Sequence, residues 1–212
     1  MRNLFFILFL LPIISYSQTN SEFNLQHSIE FDEKKHECIA ENYCFFLDLN
    51  TNAFSVTLYY SFGRNGNKQS LETMDISDFQ YGSTLSSFKN ETNNSYIVIW
   101  KRESEFAPLF YVYYIKEGIL MKIGEWGITE PCDTCDTGDY LIENIRIYQK
   151  SYEIEFLFLK ETRFAVFKEN FDYEDFGTYK AGNLVVSFNI VDEALKVINS
   201  VWQKTFNNLV IN

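Results

Sequence analysis

The stretch SYIVIWKRESEFAPLFYVYYIKEGILMKIGEW, Ser95 to Trp126, constrains the fold most. It is the chain's densest run of β-branched and aromatic residues, broken by Pro108 and by Glu117-Gly118. Such residues fit a pleated, half-buried surface. A two-residue turn at Glu117-Gly118, with the glycine at positive φ, folds the run into a hairpin. With Lys116 opposite Ile119, Tyr114 faces Met121, Val112 faces Ile123 and Phe110 faces Glu125 on a nearly pure hydrocarbon side, which is assigned to the core. On the partly covered other side, Ile115 faces Leu120, Tyr113 faces Lys122 and Leu109 faces Trp126, with Tyr111 across from Gly124. Tyr96 to Trp100 is apolar on both alternations, as expected of a strand in the middle of a sheet.

Other segments carry the same period of two. Phe23 to Phe31 alternates and predicts a first strand near a sheet edge, with His27 on its apolar side. A charged link, Asp32 to Glu37, leads to strands over Tyr43–Leu49 and Phe54–Phe62. Asn65-Gly66 is the strongest short hairpin signal. Asp75 to Lys89 is polar and Ser-rich and predicts no firm element. A second meander with Lys150-Ser151 in its turn aligns Ile147 with Ile154, Ile145 with Phe156 and Arg146 with Glu155. A strand follows at Arg163 to Lys168, then a surface connection from Glu169 to Gly182 and a last strand at Leu184 to Phe188. Thereafter the period changes. Val191, Leu195, Ile198 and Trp202 recur at helical steps behind Asn189, a residue type that caps helices, predicting a helix over about residues 190–206. The expected fold is mainly β: one antiparallel domain of about nine or ten strands (meander sandwich, curved sheet or barrel) with one C-terminal helix.

At the start, Arg2, the apolar run Leu4 to Ile14 and Ser15-Tyr16-Ser17 have the layout of a signal peptide, residues 1–17, leaving a mature domain over 18–212. The apolar run is short for a membrane span. The implied location is periplasmic or secreted, and the abundance of Asn, Lys, Ile, Phe and Tyr associates the chain with bacteria. The formal charge is −11, and loss of the leader removes one Arg and no acid, giving −12. That balance disfavours nucleic acid and anionic membrane surfaces as partners and suits a basic protein.

Four cysteines, Cys38, Cys44, Cys132 and Cys135, read as disulfides in an exported chain. Local pairing (Cys38 with Cys44, Cys132 with Cys135) closes loops worth about 2 kcal/mol each. A long-range bridge such as Cys38 with Cys135 would be worth ~5 kcal/mol. Proximity along the chain favours the local pattern. Cys132-x-x-Cys135 lacks the following helix that redox chemistry needs, and the Cys38/Cys44 spacing is too wide for a zinc knuckle. Glu130, Asp133, Asp136 and Asp139 place carboxylates at every third position around Gly138, a candidate calcium loop that departs from EF-hand spacing. Glu153 and Glu155 share a strand face about 7 Å apart, near the separation that glycoside hydrolysis uses. Arg146, expected beside Glu155, makes a wet polar face the simpler reading. No Gly-x-Ser-x-Gly elbow or phosphate-binding Gly loop occurs.

The leading expectation is a non-catalytic binding protein acting through an acidic, Tyr-rich surface, such as an inhibitor or immunity protein for a basic secreted toxin. The alternatives are a lipocalin-like carrier of an apolar ligand, a glycan-binding module, and a carboxylate-dependent glycan-active enzyme. A closed barrel is similar to lipocalins in layout. The lipocalin Gly-x-Trp signature lies on the first strand, however, whereas Gly124-Glu125-Trp126 lies mid-chain.

Overall fold

The computed structural model describes residues 20–32, 36–39, 42–76, 82–103, 108–131, 140–167, 173–199 and 209–211. The expected signal peptide lies outside them. The described residues form sixteen antiparallel strands in two sheets. The strands are β1 Ser21–Glu30, β2 His36–Ile39, β3 Tyr43–Asn50, β4 Ser55–Phe62, β5 Lys68–Asp75, β6 Ser83–Asn90, β7 Ser95–Arg102 and β8 Leu109–Lys116. There follow β9 Ile119–Thr129, β10 Ile145–Lys150, β11 Glu153–Phe158, β12 Thr162–Phe167, β13 Tyr173–Tyr179, β14 Leu184–Asn189, β15 Ala194–Asn199 and β16 Leu209–Ile211. Twelve of them run in the order β13-β12-β9-β8-β7-β6-β1-β10-β11-β14-β15-β16, and β2-β3-β4-β5 form a small second sheet.

The long sheet curls on itself. Its two wings share one core, in which Ile97, Phe110 and Trp126 of one wing meet Ile147, Phe156 and Val186 of the other. The small sheet covers the opposite face of β6–β9, where Phe45, Val56 and Leu58 pack with Val98, Trp100 and Tyr113. Strand β7 therefore has protein on both faces, and all eight of its residues are buried, as its doubly apolar sequence predicts. The second face of the central hairpin, expected to be partly covered, is instead a second core.

The Glu117-Gly118 turn forms as expected, with both residues at positive φ, and Tyr114, Ile115 and Tyr113 meet their predicted partners. Beyond Tyr113/Lys122 a β-bulge shifts the register by one, so that Val112 faces Gly124, Tyr111 faces Glu125 and Phe110 faces Trp126. The cause is burial. An unbroken ladder would turn Glu125 into hydrocarbon and Trp126 away from it. One extra residue reverses both, because side chains alternate faces with a period of two.

A second bulge, between Leu25 and His27, does the same for β1. Phe23 enters the large core and Phe31 the small one. This strand is not at an edge, since β10 pairs with its first three residues and β6 with the rest.

The β10–β11 turn lies at Ser151-Tyr152, one residue later than expected. Ile147 thus faces Phe156, Ile145 faces Phe158, and Tyr148 rather than Arg146 faces Glu155. The slip is two residues in register, so every side chain keeps its face. Two regions read as irregular are strands: β6, buried through Ser83, Ser86, Ser87 and Asn90, and β13, paired with β12.

The C-terminal helix is replaced over its described part by a turn and by β15. Asn189 Oδ1 does accept the N–H groups of Val191 (2.9 Å) and Asp192 (3.1 Å), the bonds a helix cap would make. Glu193 then takes φ 52°, and the chain returns along β14. Ala-Leu-Lys-Val-Ile also reads with a period of two. Leu195 and Val197 go inward while Lys196 pairs opposite Ser187, and the exposed edge of β14 supplies the hydrogen bonds. Residues 200–206 of the expected helix lie outside the described residues.

Candidate functional site

Antiparallel register brings four hairpin turns to one end of the molecule. The β6–β7 and β8–β9 turns are neighbours because Asn90 pairs with Ser95 and Tyr96 with Ile115. The β10–β11 turn joins them because Ser21 of β1 pairs with Gln149, and the β14–β15 turn because Glu153 pairs with Asn189. Each of these turns holds one non-glycine residue in the left-handed region: Asn94, Glu117, Ser151 and Glu193.

A chain of contacts links the four turns. Gly118 N–H donates to Tyr43 Oη (3.3 Å), and the Tyr43 ring packs edge-on against Tyr96. Asn93 Nδ2 donates to Gln149 Oε1 (2.7 Å) and also caps its own turn, accepting from Ser95 N–H and Oγ. Gln149 Nε2 donates to the Ser151 carbonyl (3.2 Å), and Ile190 N–H donates to the Tyr152 carbonyl (2.8 Å). The tips are thus tied together in their folded conformations, which lowers the ordering cost of binding.

This end exposes apolar side chains beside acids. Ile119 is 70% exposed, Tyr152 66% and Val191 65%. Tyr152 and Val191 sit on adjacent turns, with Glu153, Asp192 and Glu193 around them. None of those three carboxylates makes an ion pair among the described residues, whereas Glu91 and Glu117 are met by Lys89 (2.6 Å) and Lys116 (4.0 Å).

Beside this end lies a cleft of about 360 Å³ between β1/β6/β7 and the short strand β2. The β1 bulge at Gln26 makes it. After the bulge His27 lies opposite Ser87, on the face that carries Lys89 and Tyr96. Glu37, Cys38 and Ile39 of β2 form the other wall. His27 Nε2 and Glu37 Oε1 are 3.0 Å apart across it. The Glu91 carboxylate holds the Lys89 ammonium in its charged form and raises its pKa, and burial raises that of Tyr96. Ser87, His27 and Glu37 are the residue types of a nucleophile–base–acid relay. The Ser87 hydroxyl, however, has no hydrogen-bond partner among the described residues, so the relay is not assembled.

Of the residues singled out from sequence, Cys38 and Cys44 lie opposite each other on β2 and β3 and are bridged, the local pairing expected. The bridge is compatible with an oxidising compartment. Cys132, Cys135, Asp133, Asp136 and Asp139 lie outside the described residues. Glu130, the remaining member of the candidate calcium loop, meets Lys160 Nζ at 2.5 Å. Glu153 and Glu155 do share a strand, but Lys150 Nζ, not Arg146, takes Glu155 at 2.5 Å, while Arg146 lies 4.0 Å from Glu22.

Among the described residues no three His, Cys, Asp or Glu side chains are grouped to hold a metal ion. No helix there is long and apolar enough to cross a membrane. Sequence reasoning missed the cleft because Ser87 belongs to a stretch too polar to be read as a strand. We expect Cys38→Ser/Cys44→Ser to lower the unfolding free energy by about 2 kcal/mol, the loop-entropy value for so short a loop. Denaturant unfolding of the oxidised protein against the variant measures it. No family model, curated protein or solved structure matches this chain.

Proposed function

We propose that the protein is an exported, non-catalytic binding protein whose hairpin-tip end docks a basic protein surface. The observation that carries this is the pairing of exposed Tyr152 and Val191 with the three unpaired carboxylates Glu153, Asp192 and Glu193 on two hydrogen-bonded turns. An apolar centre with a charged rim is the usual anatomy of a protein interface, and unpaired acids steer a basic partner onto it. The net charge of −11 acts in the same sense. The large core is filled with rings, Trp126 lying against Phe156 at 4.9 Å and Phe164 at 5.9 Å. That packing favours binding at the surface over carriage of an apolar ligand inside the sheet. Engagement of Glu155 by Lys150 likewise favours binding over carboxylate catalysis.

The test compares the mature protein with Glu153→Lys/Asp192→Lys/Glu193→Lys as bait for proteins of the native envelope and culture fluid. We expect a basic partner that the charge-reversed variant binds at least roughly tenfold more weakly, with wild-type affinity falling as salt rises. Affinity indifferent to salt and to charge reversal would overturn the reading.

A further inference from the structure

The cleft under β2 shares no wall with Tyr152 or Val191 and presents a different chemistry. We propose that it is a binding site for a neutral saccharide of one or two sugar rings. Three features of its walls carry the inference.

The first is the Ser87 hydroxyl. Ser87 is only 2% exposed and lines the cleft, onto which its hydroxyl opens, with no protein hydrogen bond among the described residues. Its neighbour Ser86, pointing to the other face, is paired with Ser28 Oγ at 2.8 Å. A hydroxyl that can both donate and accept, held unpartnered on a cleft floor, suits a ligand hydroxyl. Gln26, which spends its Nε2 on the Asn24 carbonyl (3.1 Å), keeps its Oε1 as an acceptor at the rim.

The second is charge. The basic and acidic side chains of the cleft already engage one another, His27 Nε2 with Glu37 Oε1 at 3.0 Å and Lys89 Nζ with Glu91 Oε2 at 2.6 Å. A charged ligand would have to break one of these pairs to find a partner; a neutral one need not.

The third is shape and apolar surface. Ile39 and Tyr96 give the cleft an apolar wall, against which the C–H face of a pyranose can lie while its hydroxyls meet Ser87 and Gln26. A volume of about 360 Å³ is at the small end of the range for small-molecule sites, ~300–1,000 Å³. It therefore suits a mono- or disaccharide better than a longer chain. The Cys38–Cys44 bridge ties the β2 wall to β3 of the small sheet.

The test is saturation-transfer NMR and calorimetry on the oxidised mature protein. The probes are glucose, galactose, N-acetylglucosamine, maltose, cellobiose and chitobiose, with glucose 6-phosphate and glucosamine as charged controls. We expect at least one neutral sugar to bind, its affinity to fall at least roughly fivefold in Ser87→Ala, and binding to be lost in Ser87→Val, whose methyls occupy the floor. Circular dichroism confirms that each variant is folded, and Gln26→Ala, at an exposed rim position, gives an independent loss should Ser87→Val unfold. Glu153→Lys/Asp192→Lys/Glu193→Lys should bind sugar like wild type, which separates this site from the hairpin-tip reading. No transfer to any neutral sugar, tighter binding of a charged control, or equal affinity in wild type, Ser87→Ala and Gln26→Ala would overturn the proposal.

Discussion

Trp126→Ala should cost about 3–5 kcal/mol of folding free energy, the largest loss expected from a single substitution in this chain. The indole is fully buried where the two wings meet, against Phe156, Phe158 and Phe164. Truncation leaves a cavity among rings that cannot close over it. At a length of 212 residues the melting temperature should fall by roughly 10 °C. Trp126→Phe should lose far less, because the indole Nε1 has no hydrogen-bond partner among the described residues and only packing volume is given up.

Gly124→Ala reports on the same packing from the other side. A Cβ at position 124 would fall on the indole ring of Trp126, so about 1–3 kcal/mol of overpacking is expected. In the Trp126→Phe background that penalty should shrink, since the smaller ring vacates the space, and the two losses will not add. Denaturant unfolding of wild type, Trp126→Ala, Trp126→Phe, Gly124→Ala and the Gly124→Ala/Trp126→Phe double variant decides it. Strict additivity, or a Trp126→Ala loss below that of an exposed position, would refute the packing described.

The bulge that seats Trp126 is legible in the sequence as a change of parity. Met121 and Ile123 are apolar at odd positions, Trp126 and Ile128 at even ones. The parity of the hydrophobic pattern therefore changes at Gly124-Glu125. A carboxylate facing Phe110 on a hydrocarbon side was the visible cost of keeping the ladder regular. Parity was a safer guide than turn position at β10–β11, where a wrong turn residue still put Ile145, Ile147, Ile154 and Phe156 in the core. It failed for β6, whose Ser and Asn side chains are buried by strands on both edges and a sheet above. Such burial is a tertiary fact that composition opposes. At Ala194–Ile198 both periods fit five residues, and the unpaired edge of β14 decided for strand.

The site was less legible than the fold. The acidic surface followed from net charge, but which acids stand together depends on four turns being brought to one end. Nothing local to Tyr152 or Val191 announces that they are neighbours. Ser87 and His27 are 60 positions apart in the sequence and meet only because β1 pairs with β6.

Above pH 10 the protein should lose stability steeply, because it buries tyrosines whose ionisation the fold opposes. Burial pushes the Tyr60 phenol up to about 12, helped by Tyr43. Tyr113 is raised well above its ordinary value, first by burial and then by Glu72, whose Oε1 accepts its hydroxyl at 2.9 Å. Burial raises Tyr96 and Tyr140 as well. A phenol with a folded pKa above its unfolded value of about 10 binds its proton more tightly in the native state. Between pH 10 and 12 the unfolded chain therefore holds fewer protons, and the unfolding free energy falls as pH rises. Below pH 10 these groups are protonated in both states and the contribution is constant.

Absorbance at 295 nm should show the exposed share of the fourteen tyrosines ionising near pH 10 with near-ultraviolet dichroism intact. The rest should ionise together with its loss, near pH 12. Tyr113→Phe removes one opposed ionisation, so its alkaline transition should move upward. At pH 7 it should lose only about 0.5–1.5 kcal/mol, the worth of one hydrogen bond, because Lys122 still holds Glu72 at 2.8 Å. A single titration of all tyrosines near pH 10 with the fold intact would mean that these rings are not enclosed in the two cores.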